Sequence, residues 1–463
     1  MTINLDDALA WKSASPDELA MLSDLQGNIL KGHGRHATRL LFLQFGKDVT
    51  RARKFVRDIS ILLISAKEQL RQAEAFKLVK VSGGPFVSFY LSFEGYKALD
   101  LAKSAPEDAT FRQGMKARGG DLSDPPVAAL DRGYRGAIHA LVLIAGDPDS
   151  KASWTSSAVD DLETKILNLL GGGGKVVASE AGRAIFNAGG GGLEHFGYVD
   201  GRSQPLLLKE DVAREVDEGG IDVWDPKFPL KQVLVRDPGS TSPTAFGSYF
   251  VFRKLEQNVK AFKKAEEDLG AAAGNGELAG ATVVGRWEDG TSVELFGDDG
   301  HVDPISNNFT YASDPAGARC PVHAHVRKTN PRGESATKFG IPLESERAHI
   351  MARRGIPYGR RTSTVDPKDE PEGGVGLLFM AYQSDIANQF EFTQISWANN
   401  ENFLDGGTGI DPIIGQGTPS LLRHPKGWND PAAGSVDKVF GGFVTMKGGE
   451  YFFAPARSTL ASL

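Results

Sequence analysis

A short apolar run that gives way to an amphipathic stretch recurs along this chain, and this pattern constrains the fold more than any other feature. Leu40-Leu41-Phe42-Leu43-Gln44-Phe45 is followed by Phe55, Ile59, Leu62 and Leu63 at helical spacing. Pro85-Phe86-Val87-Ser88-Phe89-Tyr90-Leu91 precedes Tyr96-Lys97-Ala98-Leu99, and Ala140-Leu141-Val142-Leu143-Ile144-Ala145 precedes a helical pattern over residues 159–167. Ser248-Tyr249-Phe250-Val251-Phe252 leads into residues 255–262, and Gly376-Leu377-Leu378-Phe379-Met380-Ala381-Tyr382 into residues 386–392. Strands alternating with helices in both halves predict two related α+β modules, each a split βαβ unit with helices on one face of its sheet. Residues 210–241 are polar and rich in Asp, Pro and Gly, which suits a crossover between the modules. Residues 270–321 read as a long irregular stretch decorating the second module.

A length of 463 residues exceeds what one core usually serves, so two modules are also the expectation from size. A net charge of −7 gives no basic surface for nucleic acid. Cys320 is the only cysteine, which excludes an intrachain disulfide and any thiolate metal cluster. No apolar run approaches the ~20 residues a membrane helix needs. Near the N-terminus, Ser15-Pro16-Asp17-Glu18 reads as a helix start, with serine as cap and Glu18 closing a capping box. The first residues carry no apolar signal segment and no twin arginine, so the expected location is cytoplasmic. The glycine runs at 171–174 and 189–192 lack the GK[ST] of a phosphate loop and read as flexible loops.

Three segments contain residues suited to chemistry. In Cys320-Pro321-Val322-His323-Ala324-His325-Val326-Arg327, alternate histidines on a strand would face one way. They can be an HxH metal pair, a single axial haem ligand, or polar loop residues. Asp200 lies in Phe196-Gly197-Tyr198-Val199-Asp200-Gly201. Asp-Gly marks a tight turn, while aromatic neighbours suit a partly buried acid that moves protons. Arg353-Arg354-Gly355-Ile356-Pro357-Tyr358-Gly359 is either a solvated pair or holds one inward cation for a developing anion.

Taken together, these segments resemble the dye-decolorising peroxidase family. Gly197-Tyr198-Val199-Asp200-Gly201 is similar to its GxxDG motif, and residues 324–332 to its proximal-histidine segment. Residues 353–359 are similar to its distal-arginine segment, and residues 377–399 to its last block. Residues 24–32 and 449–455 extend the resemblance, which is to the longer fungal and bacterial members. It implies an α+β fold of two ferredoxin-like modules, 1–215 with the GxxDG loop and 216–463 with the haem. Their antiparallel sheets would carry helices outside, in the manner of a dimeric α+β barrel.

The resemblance further implies one haem b per chain, with His325 as iron ligand and Asp200 and Arg353 as the peroxide-activating pair. Asp385 is expected to partner the far nitrogen of His325. Leu377 and Phe379 are expected to line the distal face, and Arg327 to contact a haem propionate. The implied activity is one-electron oxidation of bulky aromatic donors, such as dyes and phenolics, by hydrogen peroxide. A haem-handling role on the same fold, iron release or storage, is the alternative. An aspartate base has an ordinary pKa of ~3.9, so best turnover is expected below neutral pH. Tyr358, Tyr382 and Trp397 fall in the motif blocks and read first as core. The expected partners are peroxide and aromatic donors, with the chain a monomer or weak homo-oligomer and with no membrane or nucleic acid.

Overall fold

A computed structural model describes residues 3–150, 153–361 and 369–463. The main sheet of its first half has four strands, β1 (Ala37–Phe45), β2 (Phe86–Leu91), β3 (Ala140–Gly146) and β4 (Gly174–Arg183), all paired antiparallel in the order β2-β3-β1-β4. Its second half repeats the arrangement with β5 (Phe246–Gln257), β6 (Ile356–Tyr358), β7 (Gly376–Gln383) and β8 (Val444–Ala454), in the order β8-β5-β7-β6. Both orders are those of a split βαβ unit, in agreement with the expected ferredoxin-like modules. The two sheets then join edge to edge. Phe453 of β8 pairs with Leu91 of β2, and Tyr358 of β6 with Gly182 of β4, so these strands close into a barrel that leaves neither module an open edge.

The helices fit their sequence signals. The predicted capping box is present in α1 (Pro16–Asp24): Ser15 Oγ accepts from Glu18 N at 3.3 Å, and Ser15 N donates to Glu18 Oε2 at 2.7 Å. Asp48 caps α2 (Val49–Ser60), which buries Phe55 and Ile59 of the predicted stripe together with Val56, while Leu62 and Leu63 lie beyond the helix end. With α3 (Ser157–Leu170) it covers the outside of the first sheet. In the second half, α4 (Val259–Ala273) follows β5, and the π-helical segments Ala387–Glu391 and Thr393–Ala398 stand between β7 and β8. Every residue of β2 and β3 is buried. Barrel aromatics cover one face and helices the other, which explains why these strands read as continuous apolar runs without alternation.

One core runs through both halves, with Phe42 packed against Phe252 and Phe452 inside the barrel. Position 215/216 falls in the helix Lys209–Glu218, between the last strand of one half and the first of the other. No helix among the described residues is long and apolar enough to cross a membrane.

Alternation on β5 and β7 decides where a site can form. Phe250, Phe252, Leu378 and Met380 are buried in the barrel core. Arg253, Leu255, Leu377 and Phe379 point the other way and line a cavity of about 230 Å³. Leu255 pairs with Leu377 and Arg253 with Phe379, so the four form one contiguous wall. The long connection from α4 to β6 folds over this wall.

Candidate active site

His325 is the first residue of the short helix α5 (His325–Thr329) and reaches the cavity from that connection. Its Nδ1 donates to Asp411 Oδ2 at 2.9 Å, which leaves Nε2 as the ring atom for a ligand. Asp411 is fully buried, and its Oδ1 accepts from the backbone N–H groups of Ile413 and Ile414 at 2.8 and 2.9 Å. Burial alone would raise this carboxyl's pKa. The neighbouring imidazole and the two N–H donors outweigh burial and hold it below the ordinary range. For His325 burial opposes the charge, but Asp411 prevails and raises the ring above its usual value.

The loop carrying Asp411 is gripped a second time. Lys328, one helical turn after His325, donates through Nζ to the carbonyls of Asn400 and Gly409 at 2.8 and 2.6 Å. Burial pulls this ammonium down to about 8.

The expected partner of His325, Asp385, is not there. It is exposed just past the end of β7, where its Oδ1 accepts from Asn388 N at 2.8 Å and caps the following turn. A local capping bond satisfies it, while a loop from elsewhere in the chain supplies the acid. The signal for Asp411 was present in Ile410-Asp411-Pro412-Ile413-Ile414, an acid among apolar residues.

The HxH reading also fails. His325 opens a helix, so the two histidines do not share a strand face. His323 is buried against His424, ring centroids 4.7 Å apart. Among the described residues no group of three or more His, Cys, Asp or Glu side chains is placed to hold a metal ion.

Asp200 and Arg353 line the same cavity as His325. Gly201 has φ +83°, so the Asp-Gly turn is real, and Asp200 Oδ1 accepts from Gly201 N at 2.6 Å. Arg353 Nη1 lies 3.7 Å from that oxygen, too far for a hydrogen bond and close enough for an ion pair. The guanidinium is aimed by Nη2 donating to the Ser203 carbonyl at 2.8 Å, and its backbone N donates to Gln204 Oε1 at 3.0 Å. Arg354 turns away and ties the carbonyls of Asn28 and Ile29. One arginine of the pair therefore serves the cavity and the other the fold. Leu377 and Phe379 line the cavity as expected. A second cavity of about 250 Å³ shares Asp200 and Arg353 as part of its wall.

Arg327, expected beside a propionate, is fully buried away from the cavity. Its Nε donates to Glu334 at 2.8 Å, and its Nη groups reach Glu334, Asp314 and the Cys320 carbonyl. Burial opposes its charge, yet Glu334 raises its pKa. It is an internal brace whose donors are committed to other partners.

Two other arginines line the cavity, and sequence reasoning missed both. Arg286 donates to the Gly290 carbonyl and to Asn307 Oδ1, and Arg332 to the carbonyls of Asn307 and Phe309. Among the described residues neither has a carboxylate partner. Burial brings Arg286 down to about 10 and Arg332 to about 9. Buried cations without anions call for anionic groups from a ligand. With the apolar wall and a ring nitrogen free for iron, they fit a flat macrocycle with two carboxylate tails.

The family described as "Dyp-type peroxidase, C-terminal" matches residues 225–406. The multifunctional dye peroxidase DyP2 of Amycolatopsis sp. is 45% identical over 477 aligned residues, covering 100% of both chains. Its solved structure superposes with a TM-score of 0.93 at 44% identity, again over 100% of both chains. A DyP-type peroxidase of Anabaena sp. gives a TM-score of 0.91 at 40% identity, over 100% of this chain and 98% of that one. A deferrochelatase of Yersinia pestis is 39% identical, but over only 42% of this chain and 34% of its own length.

Proposed function

This chain belongs to the dye-decolorising peroxidase family, and we propose from that premise that it holds one haem b in the cavity lined by His325, Asp200 and Arg353. The observation that carries the proposal is that these three side chains, far apart in sequence, line one cavity. The halves 1–215 and 216–463 would then each give part of the site, the GxxDG loop from the first and the haem-binding residues from the second.

Bound haem would supply an iron that reacts with hydrogen peroxide and passes oxidising equivalents to aromatic donors one electron at a time. His325 Nε2 would hold that iron. Asp411 keeps the imidazole proton on Nδ1 and makes the ring a stronger donor. Arg286 and Arg332 would pair with the propionates, and Leu377 and Phe379 keep water from the wall beside them. Asp200 Oδ1 is engaged by the Gly201 N–H, which leaves Oδ2 to accept a proton from peroxide and return it to the departing oxygen. Arg353, held by the Ser203 carbonyl, stabilises the negative charge that develops as the proton leaves.

The test is the absorbance spectrum of the haem-loaded protein and its turnover of ABTS and an anthraquinone dye with peroxide. A Soret band and steady oxidation are expected, with Asp200→Ala slowing turnover ~10²–10⁴-fold. Arg353→Leu is expected to slow it ~10²–10³-fold. Both variants should keep the Soret band. A protein that binds haem without sustained oxidation is a haem carrier instead, and full-speed variants remove Asp200 and Arg353 from the mechanism.

A further inference from the structure

Tyr451, in β8, is fully buried, and its phenol donates to Glu391 Oε1 at 2.8 Å. Glu391 is buried as well and is gripped by Arg118, whose Nε and Nη2 reach its two oxygens at 2.9–3.2 Å. Arg118 is partly exposed and also pairs with Asp121 at 2.6 Å, so this chain of contacts leads out to the surface. Phe390 joins it to the cavity. Its ring lines the cavity wall and lies 6.1 Å from that of Tyr451. Burial and the adjacent carboxylate push the phenol well above its ordinary pKa, so it keeps its proton at rest. The peroxide chemistry described above uses none of these groups.

We propose that Tyr451 is an internal electron donor to the cavity, with Glu391 as its proton acceptor. This rests on the peroxidase reading, because the oxidant is the haem after reaction with peroxide. One electron passes from Tyr451 by way of Phe390 to the oxidised haem, which is reduced by one electron. The phenolic O–H bond breaks and its proton crosses to Glu391 Oε1. The products are a neutral tyrosyl radical and a carboxylic acid. A phenol that loses an electron becomes a strong acid, and a base already at hydrogen-bond distance takes the proton without movement of heavy atoms. Arg118 holds both oxygens of that carboxylate in place.

No reducing substrate reaches Tyr451. The pair therefore draws oxidising equivalents out of a cavity that lacks a donor and spares the haem and its ligand. Tyr198 also lines the cavity and donates to Glu266, but the Lys263 ammonium lies 5.4 Å from the centre of its ring. A cation against a π face opposes loss of an electron. On the Tyr451 side, the Arg253 guanidinium lies over Phe390, 5.4 Å from its centroid.

The experiment is electron paramagnetic resonance of the haem-loaded enzyme, frozen after a stoichiometric amount of peroxide without reducing substrate. Ring-deuterated tyrosine identifies the tyrosyl signal. Wild type should show it, Tyr451→Phe should lose most of it, and Tyr198→Phe should keep it. ABTS turnover should survive in Tyr451→Phe. Glu391→Gln, which removes the base and keeps the shape, should also lose the signal. If that variant fails to fold, Tyr451→Phe decides alone. A signal that persists in Tyr451→Phe, or an active wild type with no tyrosyl signal, overturns the proposal while the peroxidase reading stands. A wild type that neither binds haem nor oxidises ABTS overturns both.

Discussion

Asp411→Asn tests which acid governs His325. In the native site Oδ1 holds two backbone N–H groups at 2.8 and 2.9 Å, and Oδ2 holds the imidazole N–H at 2.9 Å. Asparagine has the same shape and only one acceptor oxygen. Facing the backbone, it keeps two bonds and turns its NH₂ donor on His325. Facing His325, it keeps one bond and turns its donor on two others. The first arrangement wins. The imidazole then moves its proton to Nε2, so that Nδ1 can accept from the amide, and the metal-binding nitrogen loses its lone pair.

A hydrogen bond to a charged group contributes about 1.5–3 kcal/mol. At 1.4 kcal/mol per factor of ten, haem should leave the variant roughly 10- to 100-fold more readily. Loss of the same energy from the ferric form alone raises the reduction potential by roughly 60–130 mV. Haem transfer to apomyoglobin, followed at the Soret band, and a redox titration measure the two. Asp385→Asn, at an exposed cap, should change neither. An Asp411→Asn protein with native haem retention and potential, or an Asp385→Asn protein that shifts both, refutes the assignment.

Arg327→Leu leaves Glu334 and Asp314 buried without their cation and should cost about 3–5 kcal/mol of stability, seen in urea unfolding of the haem-free protein. A variant that folds normally and loses only haem would return Arg327 to the cofactor. Arg332→Leu removes a cavity-lining cation and should speed haem release about 10- to 100-fold, whereas an unchanged rate removes it from the propionate site. Burial lowers the pKa of both His195 and His424 to about 4. The unfolded chain protonates them near 6.5, so their neutral burial is free above that pH and costs stability as pH falls toward 4. The loss near pH 5 should be about 2.4 kcal/mol per pH unit for the two together. Urea midpoints at pH 7.5, 6 and 5 measure it, and a flat profile contradicts the neutral buried state.

Much of this protein is legible residue by residue. Continuous apolar runs at 86–91 and 140–146 mark strands buried on both faces, because a residue type records whether its side chain meets water. Ser15 and Glu18 announce a helix start, because their bonds close within one turn. Leu377 and Phe379 fall on one face because a strand repeats every second residue. His325, Asp200 and Arg353 stand out by chemical type and motif.

What local pattern cannot carry is the identity of a distant partner. Barrel closure depends on Phe453 meeting Leu91 and Tyr358 meeting Gly182, pairs brought together only by the whole chain path. Asp385 and Asp411 are equal as carboxylates, as are Arg327 and Arg332 as guanidinia. Their roles diverge because Asp385 is satisfied by a turn beside it and Arg327 by Glu334. Loops whose course is set by packing elsewhere carry Asp411 to His325 and Arg332 to the cavity. Sequence therefore determined which groups are available and which faces are dry. The tertiary structure alone decided which charge meets which, since charges interact through space and their separation along the chain says nothing of that distance.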